Sequence, residues 1–442
     1  MAVWSIVRAS ELQRANRLDA EYYSPGYVRL ARRLSRHTTT ALRAMAQVTD
    51  GIHASAMFEP GSGIRYISAK CVRDCYFDLS TVEEISPVQH AANPRTALRT
   101  NDVIISTVGT IGFCAVVDED LLPANCDRHV GIVRIRDITR FDPHFVAAFL
   151  NSKYGRNQTI REATGNVQLN LFIYAIAKVE VPFFSGHQRI GDIVRKGLSL
   201  LKRSESLYLK AERTVLEELR WDKLDLSEPK WYTVSLSRSR EVHRLDAEHF
   251  QPKYDRLMAH LKKTGRAKQI GDIMAEPIQK GVTPDYEPNG SIVAVNSQHL
   301  ARHCLNFEAT DRTTEEFWQD NRKARIRQND VMIYATGAYI GRTNPYLETA
   351  TALAGVDILL VRPIGECNPL YLATFLNAPP GLIQSKKFAS GSGQAHIYPH
   401  DVSLYWVYLP TEHLQHQVAD LVQQSYEARQ KPRRFWKELR PR

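Results

Sequence analysis

Apolar residues recur along this chain in two rhythms. Short runs rich in Ile, Val and Tyr are punctuated by Gly, Pro, Asn and Asp, as β-strands between turns should be. "VIISTV" (Val103–Val108), "VGIVRI" (Val130–Ile135), "SIVAV" (Ser291–Val295) and "DILLVRP" (Asp357–Pro363) are the clearest. Short helices follow in "PHFVAAFLNS" and "PLYLATFLNA", with Pro143 and Pro369 in the first turn, where a missing N–H costs nothing. Strand-like "VEVPF" (Val179–Phe183) and "VYLP" (Val407–Pro410) come next. The period then lengthens. Across Ser185–Trp221 there is no proline, and Ile190, Ile193, Val194, Leu198, Leu201, Leu207, Ala211, Val215 and Leu219 recur mostly three or four apart. That spacing predicts one long amphipathic helix. Thr411–Arg442 is its counterpart, with an interruption expected at Pro432.

The rhythm is written twice. "RLDAEYYSPGY" at Arg17–Tyr27 returns as "RLDAEHFQPKY" at Arg244–Tyr254, each opening a basic amphipathic helix, Tyr27–Arg36 and Tyr254–Lys263. "TDGIHAS" then faces "QKGVTPD" through Gly51 and Gly281, and "RYISAKCV" faces "VAVNSQHL". "ALRTNDVIISTVGTIG" faces "RIRQNDVMIYATGAYIG", "DPHFVAAFLNS" faces "NPLYLATFLNA", and "ATGNVQLNLF" faces "GSGQAHIY". Ordered matches with small drifts in offset mark an internal duplication. The expected fold is α+β: two tandem repeats, each a mixed α/β domain followed by a long helix, with the two helices pairing as an antiparallel coiled coil. The expected boundaries are 1–184 for the first domain, 185–221 for the central helix, 222–232 for a linker, 233–410 for the second domain and 411–442 for the distal helix.

Composition changes this picture only at the margins. With 442 residues, 43% hydrophobic and 24% charged, the chain has the make-up of a globular protein with several cores. It carries no ~20-residue apolar run of the kind that crosses a membrane. The start "MAVWSIVRASELQR" lacks a signal peptide's apolar core, so a cytoplasmic location is expected. Six cysteines (71, 75, 114, 126, 304 and 367) fall at unmatched places in the two copies, which favours free thiols over a duplicated disulfide or zinc framework. A net charge of +10 favours a polyanionic partner.

Enzyme motifs are missing. There is no GK dipeptide for a P-loop and no HExxH. "NAPPG" (Asn377–Gly381) lacks the aromatic of a methyltransferase Pro-Pro motif, and "TPDY" (Thr283–Tyr286) has no nearby nuclease lysine. His129, His187 and His416 have no metal-ligand spacing. The glycines of "GTIG" and "GAYIG" suit a tight turn between strands, with a phosphate cradle as the alternative.

Taken in order, "NDVIISTVGTIG" and "NDVMIYATGAYIG", "GNVQLNL" and "GSGQAHI" before a "VP" or "LP" strand, and "HQRIGDIV" and "HQVADLV" opening the helices resemble the DNA-specificity subunit of type I restriction-modification systems. The resemblance spans essentially the whole chain, which departs from the family in its longer segments before the first recognition unit. It implies two target-recognition domains on double-stranded DNA and two docked adenine methyltransferase subunits. It also implies a motor-nuclease subunit in a full complex. S-adenosylmethionine, and ATP with Mg, would bind those partners; the chain itself would be non-catalytic and hold no cofactor or metal. A stand-alone DNA-binding or anti-restriction protein, and a structural adaptor with duplicated protein-binding heads, are the alternatives.

On a duplicated frame, unmatched polar residues are free to read different bases: Lys70 against Gln298, Arg73 against Ala301, with Asn166 and His396. Arg95 and Arg99 match Lys323 and Arg327, which suits phosphate contact better. Lys153, Arg156, Arg161, Lys386 and Lys387 are expected on polar loops at a groove or backbone. Arg17, Asp19 and Glu21, with Arg244, Asp246 and Glu248, are expected to make equivalent docking or capping contacts.

Overall fold

The computed structural model describes residues 4–439 except 16, 80–81, 166–167 and 392; side chains at 14 and 433–439 are not described. These residues form two compact units, one of positions up to 199 together with those from 432 on, the other of positions 200–431.

The first unit contains β1 (Thr39–Ala41), β2 (Ala46–Asp50), β3 (Arg65–Ile67), β4 (Glu83–Glu84), β5 (Val103–Ser106), β6 (Cys114–Val116), β7 (Ala124–Cys126), β8 (Val130–Ile135) and β9 (Glu180–Pro182). An antiparallel sheet runs β2-β8-β5-β6. A second runs β4-β3-β7, with β3 and β7 parallel. β1 pairs with β9, so the closing "VEVP" segment returns to the start of the unit.

The second unit contains β10 (Ala267–Gln269), β11 (Gln279–Lys280), β12 (Ile292–Val295), β13 (Asp311–Thr313), β14 (Arg325–Ile326), β15 (Val331–Tyr334), β16 (Thr343–Pro345), β17 (Ala352–Ala354), β18 (Ile358–Val361) and β19 (Trp406–Tyr408). Its sheets run β11-β18-β15-β16 and β13-β12-β17-β14, with β12 and β17 parallel, and β10 pairs with β19. The topology of the first unit is reproduced strand for strand, with β14 added at one edge. The duplication is therefore structural as well as textual.

The strongest apolar runs are continuous rather than alternating because both faces of those strands are covered. Val103, Ile105, Val133 and Ile135 enter one core with Phe145, Val146 and Leu150 of the helix Pro143–Asn151. Ile104, Val130 and Ile132 enter a different core with Ile67 and Ala124. The second unit divides β15 and β18 the same way: Val331, Ile333, Leu359 and Val361 on one side, Met332, Ile358 and Leu360 on the other. The helices behind the sheets are N-capped by the residue before each proline. The Asp142 carboxylate accepts the N–H groups of His144 (2.8 Å) and Phe145 (3.1 Å), and Asn368 does the same for Leu370 and Tyr371.

Gly51 and Gly281 show why a glycine was kept twice. A Cβ on Gly51 would lie 2.2 Å from the carbonyl oxygens of Cys126 and Asp127; on Gly281 it would lie 2.1 Å from that of Gly355. Backbone crosses backbone there, and no side chain fits.

The central helix is His187–Glu218, 32 residues and about 48 Å long. The distal helix is Glu412–Leu439 and runs through Pro432, so the expected interruption is corrected. Proline's fixed φ is helical, and the backbone continues with one i→i−4 bond missing. In the second unit the two helices run antiparallel. Ser204 meets Ser425, hydroxyl to hydroxyl at 3.0 Å, while Glu218, further along, accepts from Tyr408 just before the distal helix begins. Ser204, Tyr208, Ala211, Val215 and Leu219 form the buried line at the expected three-and-four spacing. The apolar residues after Ser204 do not wait for a partner helix alone. They enter the core of the second unit, with Tyr371 and Phe375 as well as Val418, Leu421 and Val422.

Replacing Ser204 and Ser425 together with cysteine should give an intrachain disulfide on oxidation, seen as a mobility shift on non-reducing gels. A Ser204→Cys, Val418→Cys pair, two helical turns out of register, should not cross-link. Gly281→Ala should lower the unfolding free energy by about 1–3 kcal/mol, because the methyl group has to displace a strand.

Candidate nucleic-acid interface

The repeated "ND" is a turn and an anchor in each unit. Asn101 and Asn329 have φ of 72° and 69°, the left-handed region that asparagine tolerates. The next residue turns inward. Asp102 accepts from Arg134 on β8 at 2.8 and 2.7 Å and from the Arg99 backbone N–H at 2.8 Å. Asp330 accepts from Arg362, just past β18, at 2.7 and 2.7 Å and from the Arg327 N–H at 2.8 Å. The side chains of Asp102 and Asp330 are 2% and 3% exposed. Both guanidiniums also donate to main-chain carbonyls, Ala97 in the first unit and Arg325 in the second. The paired carboxylate raises the pKa of each arginine against the opposing effect of burial. This clamp fixes the segments carrying Arg95 and Arg99, and Lys323 and Arg327.

Those four residues fare differently. All four are exposed, and two of them bond to their own unit. Arg95 donates to the Asp50 carbonyl (3.0 Å) and carboxylate (3.3 Å) at the end of β2, and Arg327 donates to Glu276 at 2.6 Å.

Lys70 and Gln298 occupy equivalent one-turn 3-10 helices, Ala69–Cys71 and Ser297–His299, and both are exposed. Matched bridges follow: Val72 with Phe77 in one unit, Leu300 with Leu305 in the other. Arg73 and Ala301 sit at the same point of that loop, and Arg73 pairs with Asp78 at 3.3 Å.

The expected polar loops carrying Lys153, Arg156, Arg161, Lys386 and Lys387 are helices, Lys153–Glu162 and Pro379–Phe388. Lys153 and Lys386 are exposed on them. The others turn inward. Arg156 donates to the Ile111 carbonyl and lies 4.4 Å over the Phe113 ring. Arg161 donates to the Tyr22 carbonyl (2.7 Å) and covers its ring at 3.9 Å, while the buried Lys387 donates to the carbonyl of His249, the residue matching Tyr22. "KYGRNQTIRE" has too few apolar positions to show a helical period in its sequence. Arg161 and Lys387 thus tether the residue that follows the repeated "RLDAE" phrase, and Arg156 tethers the β5–β6 turn.

That phrase makes capping contacts in both units. Arg17 and Asp19 pair at 2.7 Å, and Asp19 accepts the Tyr22 N–H at 3.1 Å. Arg244 holds Asp246 through two bonds of 2.7 Å, and Asp246 accepts the His249 N–H at 3.2 Å. Glu248 accepts from Lys253 at 3.1 Å. Glu21 is exposed.

The glycines of "GTIG" and "GAYIG" form the turns of the β5–β6 and β15–β16 hairpins: Gly112 N–H reaches Ser106 O, and Gly341 N–H reaches Tyr334 O, both at 2.8 Å. Beside each lies the other shared loop. Val108 bridges to Asn170, and Thr336 to His396. His396 therefore anchors its loop, its imidazole 3.1 Å from the Thr336 hydroxyl. Gly165 and Gly391, at φ of 132° and 106°, close these loops against the Gln168 and Gln394 carbonyls. Asn166 lies outside the described residues. Unforeseen in the sequence are the exposed aromatics next to these loops: Phe172 and Tyr174, stacked at 5.7 Å, and Tyr398 in the second unit. The repeat offset would have found Phe172 and Tyr398, since both follow the matched loop directly.

Two histidines are held neutral by their surroundings. His303 stacks on Tyr208 at 4.7 Å; burial first, then Arg302, Arg429 and Arg342, push it down to about 4. Its Nε2 is buried without a hydrogen-bond partner among the described residues. His144 is likewise down to about 4, through burial and Arg195. The described residues include no group of three His, Cys, Asp or Glu placed to hold a metal ion, and no helix long and apolar enough to cross a membrane.

No protein-family model matches the chain, and no curated protein matches it. Solved structures do. The chain is similar to the S subunit of a type I restriction-modification system from M. genitalium, with 13% identity, 91% of each chain covered and a TM-score of 0.39. It is also similar to the HsdS subunit from Thermoanaerobacter tengcongensis, with 16% identity, 90% of each chain covered and a TM-score of 0.29. A third similar chain belongs to a structure described as concerning complex assembly and conformational transition of the type I R-M system. Its identity is 17%, with 91% of this chain and 94% of that one covered and a TM-score of 0.29. Identities and superpositions this low leave function to be argued from this chain's own residues.

Asp102→Ala should cost about 3–5 kcal/mol by stranding Arg134 in a buried site, read as a shifted denaturation midpoint. For His303 the pKa is depressed in the folded state, so the unfolded chain takes up the proton first as pH falls. The neutral ring is fully compatible with folding above about pH 6.5, and stability is lost as pH drops from there toward 4. His303→Phe, which keeps the stack on Tyr208, should therefore show a smaller drop in melting temperature between pH 7 and pH 5 than the wild type.

Proposed function

We propose that the chain is a non-catalytic DNA-recognition subunit of a type I restriction-modification or related defence complex, each unit reading one part of a bipartite site. The observation that carries this is a frame duplicated down to its clamps and turns, on which exposed polar residues differ at equivalent points. The exposed Lys70 stands where the exposed Gln298 stands, and the half-buried Arg73 where Ala301 stands, on the same 3-10 turn and loop. A duplicated binder of one ligand would keep those residues alike. A reader of two different half-sites has to change them while keeping its fold. Lys70 suits guanine and Gln298 suits adenine in the major groove. The exposed cations Arg99, Lys323, Lys153 and Lys386 supply sequence-independent attraction to phosphate. Arg95 and Arg327, exposed beside Asp50 and Glu276, can share in it, while Arg156, Arg161 and Lys387 serve the frame that presents them.

Methyl transfer to adenine, with S-adenosylmethionine, belongs in this reading to two docked methyltransferase subunits. ATP and Mg belong to a motor-nuclease subunit where one is present. The chain's own work is to bind, orient and space the DNA.

Binding to a panel of single-base variants of the site over a salt series tests the assignment. Gln298→Ala should relax discrimination in one half-site only, by about 1–3 kcal/mol, and leave the other half-site untouched. Arg99→Ala should weaken binding to every sequence and reduce the slope of log K against log salt by about one. A protein adaptor would show neither salt slope nor base preference.

A further inference from the structure

The duplication reaches further back than the "RLDAE" phrase, and there it preserves residues that the frame does not use. At the same 227-residue offset, Trp4 matches Trp231. Trp4 is 74% exposed and Trp231 81%; within the phrase itself, Leu18 and Leu245 are both 87% exposed. A lone exposed leucine needs no explanation. The same leucine at the same point of a rigid, duplicated turn does. Its flanking residues are tied down in each copy. Arg17 and Asp19 pair across Leu18, and Tyr23 donates to the Arg17 carbonyl at 3.0 Å. Arg244 and Asp246 pair across Leu245, with Arg244 also donating to the Phe388 and Ala389 carbonyls at 3.1 and 2.7 Å. The tryptophan's neighbour is tied as well: Ser5 donates to the Tyr23 carbonyl, and Tyr232 to the Ala247 carbonyl. Each leader therefore presents an exposed leucine on a tethered turn and an exposed tryptophan.

We infer that the two leaders, positions 4–23 and 231–250, are equivalent docking elements for one partner protein, each engaging one copy of it through Trp4 and Leu18 or Trp231 and Leu245. Resting on the reading above, the partner is the adenine methyltransferase subunit, taken up twice. Identical anchors on two units whose base-reading positions differ fit a partner that is the same at both. Charge narrows its surface. Positions 4–36 carry seven basic and three acidic side chains, and positions 231–263 carry seven and four. The complementary face is acidic around an apolar pocket. DNA is disfavoured because leucine has no affinity for phosphate and the carboxylates of Asp19 and Glu21, like those of Asp246 and Glu248, stand beside it. Aromatic anchors in a charged rim are the usual hot spots of protein interfaces.

The full chain, co-expressed with the adenine methyltransferase of its own operon, gives the test by native mass spectrometry alongside a DNA-binding salt series. Wild type should bind two methyltransferases, Leu18→Asp or Leu245→Asp one, and the double variant none, with unchanged DNA affinity and unchanged melting temperature, since both side chains lie outside the core. Trp4→Ala and Trp231→Ala should each weaken uptake of one copy at least tenfold. Two methyltransferases retained by the double variant would overturn the inference and leave the DNA-reading function standing. Loss of DNA affinity with methyltransferase uptake intact would make the leaders DNA elements and overturn it too. A wild type that reads DNA yet binds no methyltransferase would overturn both the inference and the restriction-modification reading.

Discussion

Each unit is organised around one buried ion pair, Asp102 with Arg134 and Asp330 with Arg362. The carboxylate follows an asparagine in the left-handed region, accepts a backbone N–H three residues upstream, and takes a two-pronged guanidinium from the partner strand β8 or from just beyond β18. Charges this deep cost several kcal/mol in lost hydration, recovered only when every polar atom is met. A main-chain carbonyl accepts from each guanidinium as well, and Glu276 also accepts from Arg362. The result fixes the start of β5 or β15 against its sheet, and with it the division of each strand's two faces between two cores. It also fixes the segment on which the exposed Arg99 or Lys323 is carried.

The same economy separates cations that build from cations that bind. Basic residues near an expected recognition loop look alike in sequence, yet Arg156, Arg161 and Lys387 spend their charge on carbonyls and aromatic rings inside their own units. Arg161 and Lys387 are equivalent, and both hold the residue that the aspartate of "RLDAE" caps. A recurring basic position in a duplicated protein is thus as good a sign of an internal tether as of a phosphate contact. The residues left exposed at unmatched points, Lys70 and Gln298 above all, carry the functional reading.

Much of this protein was legible without coordinates. The repeat, the strand and helix types and the helix starts at Pro143 and Pro369 follow from local chemistry and period, and the antiparallel pairing of the long helices from the symmetry of the repeat. Backbone preferences and hydrophobic periodicity act over a few residues and therefore leave a mark in the sequence. Gly51 and Gly281 were visible as matched glycines, although the crossing carbonyl that demands them was not.

Tertiary structure decided the rest, because the deciding partners lie far away in the chain. Nothing within ten residues of Arg161 announces Tyr22, and nothing near Lys387 announces His249. The short strands β1 and β10 have no pattern of their own and exist because β9 and β19 return to pair with them. Pro432 reads as a break by its missing N–H, yet the distal helix passes through it. Leu18 and Leu245 belong to the apolar alphabet, and only the fold shows that these two leucines are held out of every core.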